Sequence, residues 1–175
     1  MAVDKRWYVL YVESGKEKDV QKKLSEQGYE AVVPIENRMI RSGGKWISRA
    51  YVAFPGYVFI NIEYDWWKYY TIAKISGVLT ILGGGKEPIP LTNEEVRLVI
   101  YESELFREPP VVRLLDGGGF EIVSGSLLMF KRHIKRIDRH ARRLVLSVPI
   151  AGKETEFTLS FIKAGEEPAL PIRTQ

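Results

Sequence analysis

The sequence predicts an α+β chain in two parts: strands alternating with helices first, then a small β-rich domain. Three observations predict it. Apolar runs of strand length alternate with capped helical stripes as far as Phe106. Pro and Gly then punctuate the chain at Glu108-Pro109-Pro110 and Gly117-Gly118-Gly119, which marks a linker over residues 107–119. Beyond it, Leu144/Leu146/Val148/Ile150 and Phe157/Leu159/Phe161 alternate with period two. The expected domains are therefore residues 1–106 and 120–175.

Each element has a local reason. Arg6 to Val12 is rich in aromatic and β-branched residues and predicts a buried strand. Ser14 with Glu17 has capping-box spacing, opening a helix to about Gln27 that buries Val20 and Leu24 and ends at Gly28. Tyr29 to Ile40 and Lys45 to Tyr51 predict two extended segments around a hairpin tip at Ser42-Gly43-Gly44. Phe54-Pro55-Gly56 breaks the chain sharply before a strand from Tyr57 to Ile60. In that strand Tyr57 and Phe59 share one face, Val58 and Ile60 the other. One face can pack the core, which leaves the aromatic face for a partner.

Asp65 can cap a second helix carrying Trp66, Trp67, Tyr69, Tyr70 and Ile72. Val78 to Leu82 predicts a short strand before Gly83-Gly84-Gly85, and Thr92 with Glu95 a second capping box before Val96, Val99 and Ile100. One stretch is ambiguous. Leu127, Phe130, Ile134, Ile137, Ala141, Leu144 and Val148 form a helical stripe, whereas the alternation further on favours strands.

An apolar share of 45% and a charged share of 27% fit a globular protein with a real core. No apolar run approaches the ~20 residues of a membrane span, and no signal segment opens the chain. Zero cysteines exclude a disulfide framework and a thiolate metal site. A cytoplasmic location is the expectation. Charge is unevenly spread: seven basic residues face only Asp138 between Lys131 and Arg143, on a chain of net charge +4. Both histidines, His133 and His140, lie in that window. Such a patch points to a phosphate-rich partner, against the plainer alternative of a solvated charged surface.

Nothing suggests catalysis. The two histidines sit among cations that oppose metal binding and use as a base. Gly83-Gly84-Gly85-Lys86 lacks a P-loop's first glycine, which is Thr80, and its Ser/Thr, which is Glu87. No paired-carboxylate or Ser/His/Asp pattern stands out. The expectation is no enzyme, no cofactor, no metal site and no catalytic residue.

The ordered motifs Trp7-Tyr8-Val9-Leu10-Tyr11, Phe54-Pro55-Gly56-Tyr57-Val58-Phe59-Ile60 and Ser76-Gly77-Val78-Leu79 through Gly83-Gly84-Gly85-Lys86-Glu87-Pro88-Ile89-Pro90-Leu91 resemble the N-terminal domain of NusG-family transcription factors. The resemblance covers roughly residues 5–106. It implies an antiparallel sheet with helices, then an SH3-like KOW β-barrel, with Val123-Ser124-Gly125-Ser126-Leu127 entering its first turn. The Met129-Phe130-Lys131-Arg132 segment is poorer in glycine and more basic than the usual KOW core, and is most similar to the LoaP branch of antiterminators.

The resemblance implies RNA polymerase as partner. Phe54, Tyr57 and Phe59 would receive the clamp helices, and Lys68, Tyr69, Tyr70 and Thr71 would touch the opposite side of the cleft. Trp66, Trp67 and Ile72 are read as core, while Tyr69 and Tyr70 stay open between core and contact. Lys16 and Lys23 would lie near the non-template DNA strand, with a solvated helix face as the alternative. Nascent hairpin RNA would meet Lys131, Arg132, His133, Lys135, Arg136, Arg139, His140, Arg142 and Arg143, with Asp138 to Ala141 as a turn projecting Arg139 and His140 outward. The expected molecule is a monomer without membrane contact. A general elongation factor contacting Rho or the ribosome, and a translation-related RNA-binding protein, are the rival readings. A C-terminal helical hairpin covering the polymerase pocket is a further one.

Overall fold

The computed structural model describes residues 4–83, 87–101 and 107–166. Gly84, Gly85 and Lys86 of the glycine motif, and Phe106 at the expected boundary, lie outside the described residues. Helices and antiparallel sheets mix as the α+β expectation requires. The chain divides into two compact units, each built from separate segments. The first comprises Met1–Pro34, Phe54–Ile100 and Pro149–Glu154; the second Ile35–Ala53, Tyr101–Val148 and Thr155–Gln175.

The first unit is organised on a four-stranded antiparallel sheet. Its strands are β1 (Arg6–Val12), β2 (Glu30–Val32), β5 (Tyr57–Ile62) and β6 (Val78–Ile81), in the order β2-β5-β1-β6. The two central strands pair over six residues, with Tyr11 opposite Tyr57 and Val9 opposite Phe59. Val9, Leu10, Val58, Phe59 and Ile60 are all fully buried, so both faces of these strands are covered. Both parities of the Tyr57–Ile60 run are apolar, which is the pattern of a strand buried on both sides.

Helix α1 (Glu17–Glu26) buries Val20 and Leu24, and Gly28 follows it with φ of 81°, as predicted. Its start differs from the prediction. Lys16 occupies the N-cap position with no side-chain cap, and Ser14 takes no part. The Glu17 carboxylate instead accepts the backbone N–H of Gly15 at 2.9 Å and of Gly56 at 2.7 Å. A tertiary partner has outcompeted the local capping box.

Helix α2 (Trp66–Ala73) starts where expected, with the Asp65 carboxylate accepting the Lys68 N–H at 2.7 Å. Helix α3 (Asn93–Val96) carries the Thr92–Glu95 capping box complete, and a π-helical turn, Arg97–Tyr101, prolongs it.

In the second unit, β3 (Ile35–Ser42) and β4 (Lys45–Val52) form a full-length hairpin. Gly43 and Gly44 turn it with φ of 56° and 79°, the left-handed pair that a two-residue primed turn needs. Strands β7 (Val111–Leu114), β8 (Phe120–Ser124) and β12 (Ile162–Lys163) make one three-stranded sheet, β12 pairing parallel to β7. Strands β9 (Ile134–Asp138), β10 (Arg143–Ile150) and β11 (Lys153–Ser160) make another.

Two expectations change here. The stretch read as a linker contains β7, because Val111 and Val112 supply β-branched residues that a sheet can bury. The helical stripe from Leu127 is helical only as a 3₁₀ segment, Ser126–His133. Ile134–Asp138 and Arg143–Ile150 are strands joined by a turn, so period two prevails over the helical spacing. The described C-terminal residues form no helical hairpin.

Candidate interaction surfaces

The aromatic run behind the polymerase expectation is closed to solvent. Phe54, Tyr57 and Phe59 are 3%, 9% and 0% exposed. Phe54 stacks edge-on against Phe59 with centroids 5.7 Å apart, and Tyr57 against Tyr11 at 6.1 Å. The expectation of a free aromatic face is therefore corrected. The exposed ring beside this run is Tyr11, which sequence reasoning did not single out.

Exposed aromatic surface lies instead on α2. Trp66, Trp67 and Tyr70 face solvent, Trp67 at 81%, whereas only Ile72 of this helix is buried. Reading Trp66 and Trp67 as core is thus overturned. The signal was available: with Ile72 inward, residues three and four before it, Tyr69 and Lys68, share its face, and Trp66 and Trp67 fall outside. Trp66, Tyr69 and Tyr70 hold one another through ring contacts of 5.5–6.3 Å, which pre-orders the patch. Of the predicted contact residues, Tyr70 is exposed and Tyr69 half-buried. Lys68 pairs with Asp65 at 3.0 Å and Glu63 at 3.6 Å, and the Asp65 hydrogen bond raises its pKa. The Thr71 hydroxyl donates to the Trp67 carbonyl at 2.9 Å.

At the N-cap of α1, Lys16 is exposed. Lys23 is half-buried and donates to the Ser76 carbonyl at 3.2 Å. It lines an open pocket of about 370 Å³ with Gln27, Thr71, Lys74 and Ile75.

The basic window splits into outward and inward cations. Lys131, Arg132, Lys135, Arg136 and His140 are exposed, and the Arg132 guanidinium donates to the half-buried His133 at 3.2 Å. The predicted turn forms, with the Asp138 carboxylate accepting the Ala141 N–H at 2.8 Å. Arg139 does not project outward: its guanidinium donates to the Gly119 carbonyl at 2.7 Å and the Leu115 carbonyl at 3.3 Å. Arg142 is 7% exposed, forks onto Glu166 and lies 4.1 Å over the Trp46 ring. Its backbone φ is 54°, in the left-handed region. The half-buried Arg143 donates to the Ser160 hydroxyl. Burial is the main cause that lowers its pKa, and the neighbouring Arg38 charge adds to it. Arg139, Arg142 and Arg143 are thus primarily structural cations.

Sequence reasoning also missed a polar junction in the second unit. Glu36, 1% exposed, accepts the Ser160 N–H at 3.1 Å and the Arg38 guanidinium at 2.9 Å. The Met39 N–H donates to the Ser160 hydroxyl at 2.8 Å. This junction fastens β3 to β11.

No helix among the described residues is long and apolar enough to cross a membrane. Comparison with known proteins agrees with the fold. The family described as transcription termination factor NusG matches residues 5–100. The transcription termination/antitermination protein NusG of Staphylococcus aureus strain Mu50 is 28% identical over 169 residues, covering 90% of this chain and 93% of its own. Its counterpart in strain N315 gives the same values. A solved structure, "Domain interaction in Thermotoga maritima NusG", aligns with a TM-score of 0.51 at 24% identity, over 91% of this chain and 96% of that one. The chain belongs to the NusG family, whose members are transcription factors and not enzymes.

Proposed function

We propose that this protein is a processive antiterminator of the specialised kind that LoaP represents. Its N-terminal part, residues 1–106, binds RNA polymerase across the two sides of the cleft, and its C-terminal part, residues 120–175, binds nascent hairpin RNA. Binding one polymerase conformation in preference to another would favour the closed clamp and make paused states rarer. The supporting observation is that each unit exposes a surface of one chemistry: aromatic on α2, cationic over residues 131–140.

Trp66, Trp67 and Tyr70 supply the polymerase contact, since aromatic side chains dominate interface energetics. Phe54, Tyr57 and Phe59 support it from within the fold. Lys16 remains a contact to non-template DNA. Lys131, Arg132, Lys135, Arg136 and His140 meet RNA phosphates and loop bases. The protein acts as a cytoplasmic monomer.

The test pairs co-purification with core polymerase and salt-dependent binding of an RNA stem-loop by the full chain. Trp67→Ala should lose polymerase and keep RNA; Lys135→Gln with Arg136→Gln should do the reverse. Identical defects in both assays would sink the division of labour. The names of the Staphylococcus proteins favour a second reading, a general termination/antitermination factor contacting Rho or a ribosomal protein. Absence of RNA-hairpin binding with polymerase binding intact would select it.

A further inference from the structure

Strands β9 and β10 place Asp138 opposite Arg143 and Arg136 opposite Val145. Directly opposed residues share a face, as do alternate residues along a strand. Arg136, Asp138 and Arg143 therefore lie on one face of this pair. On that face Arg143 reaches the Ser160 hydroxyl, whose backbone N–H is held by Glu36. Glu36 in turn takes the Arg38 guanidinium, which lies 4.6 Å over the Tyr51 ring. Arg38 stands directly opposite Arg49 across the hairpin. A row of arginines, Arg136–Arg143–Arg38–Arg49, thus runs from β9 onto the β3–β4 hairpin, all within the second unit.

The row is crowded for like charges. Two arginines opposite each other on paired strands repel. Burial is the main cause of the lowered pKa of Arg143; the Glu36 charge raises it and the Arg38 charge lowers it. Arg49 has an arginine, not an acid, directly opposite it on β3. Glu36 is buried and already shared between Arg38 and Ser160, and Asp138 accepts the Ala141 N–H. Folding stability alone gives no reason for Arg49 opposite Arg38. A polyanion laid along the row turns that repulsion into charge-assisted hydrogen bonds, and guanidinium forks suit phosphate. A single phosphate would meet one or two of these groups; a nucleic-acid backbone can follow the row.

We infer that the β3–β4 hairpin binds the RNA backbone through Arg49 and Arg38, extending the phosphate track of Arg136, while Arg143 stays bonded to Ser160. This rests on the RNA reading proposed above, and it assigns RNA contact to a segment that precedes β5 and α2 in the chain.

The experiment measures binding of the full chain to a pool of RNA stem-loops with randomised loops across a salt series, with a DNA duplex of matching length beside it. Arg49→Gln should weaken RNA binding and reduce the slope of log affinity against log salt by about 1. Arg49→Lys should restore the slope. Arg41→Gln removes the same charge from the opposite hairpin face and should leave the slope near wild type. Equal effects of Arg41→Gln and Arg49→Gln would reduce the row to general attraction and overturn the inference. So would an unchanged Arg49→Gln beside a weakened Arg136→Gln, an outcome that leaves the RNA reading standing. A wild-type chain without salt-dependent RNA binding removes both. Loss of binding confined to the DNA duplex would reassign the row to DNA and overturn the inference as well.

Discussion

The Glu17 carboxylate accepts the Gly56 N–H at 2.7 Å, tying the first turn of α1 to the Pro-Gly break before β5. Gly56 sits at φ of 84°, and a side chain there would press on the Tyr11 ring at 3.2 Å. One buried carboxylate therefore fixes the entry of the strand that carries Tyr57 and Phe59.

That tie predicts an acid-labile link. Burial acts to raise the Glu17 pKa, but backbone hydrogen bonds from Gly56, Glu17 itself and Gly15 more than offset it and hold the group below its ordinary value of 4.5. A depressed carboxylate contributes stability that is full above the ordinary value and is lost as pH falls through the folded one. Glu17→Gln should cost about 1–3 kcal/mol at neutral pH and flatten the stability loss below about pH 4.5. Urea melts of both proteins from pH 7 to about pH 3 measure it; an unchanged acid limb would sink the assignment.

Phe59 and Trp67 should separate folding from docking. Phe59→Ala empties a fully buried site and should cost about 3–5 kcal/mol of stability. Trp67→Ala, at an exposed position, should change stability by no more than about 0.5 kcal/mol. If Trp67 anchors a partner, its truncation should weaken polymerase binding by about 2 kcal/mol, roughly 30-fold. Thermal melts alongside polymerase titrations decide between these outcomes.

Arg142 should behave as a structural arginine. Arg142→Lys keeps the charge but loses the fork onto Glu166 and the planar stack on Trp46. A loss of about 1–2 kcal/mol is expected, because Glu166 is partly exposed and the ion pair is partly screened. The salt slope of RNA binding should not move. A changed slope with unchanged stability would return Arg142 to the RNA surface.

Gly125 should resist substitution. Its φ is 110°, and a Cβ there would meet the Pro110 backbone at 3.2 Å. Gly125→Ala should destabilise by about 1–3 kcal/mol, read by loss of protection at Val111, Val112 and Ile122 in hydrogen exchange.

What the sequence revealed was local. Asp65, the Thr92–Glu95 box and the Gly43-Gly44 turn each satisfy backbone groups within four residues, so residue type alone names them. Ser14 and Glu17 carried the same signature and failed, because Gly56, 39 residues away, offered Glu17 a better donor. The Phe54–Ile60 run was rightly read as a strand after a break, but its two apolar parities meant burial on both faces. The nine predicted RNA-contact residues divide by contacts such as Arg142 with Trp46, which no spacing rule connects. Arg49 escaped notice because its pairing with Arg38 depends on the register of the β3–β4 hairpin.

The Glu36–Ser160 junction also orders events during synthesis. Its partners are 124 residues apart. At about 5–20 residues per second, the hairpin leaves the ribosome roughly 6–25 s before β11 exists to receive it. Through that interval Glu36 lacks the Ser160 N–H, and for most of it Trp46 lacks Arg142. The second unit is then a late assembly, closing only once Ser160 has been made. A fragment starting at the interdomain stretch would never receive the hairpin at all, so its arginines would answer to a different set of neighbours from those in the whole chain.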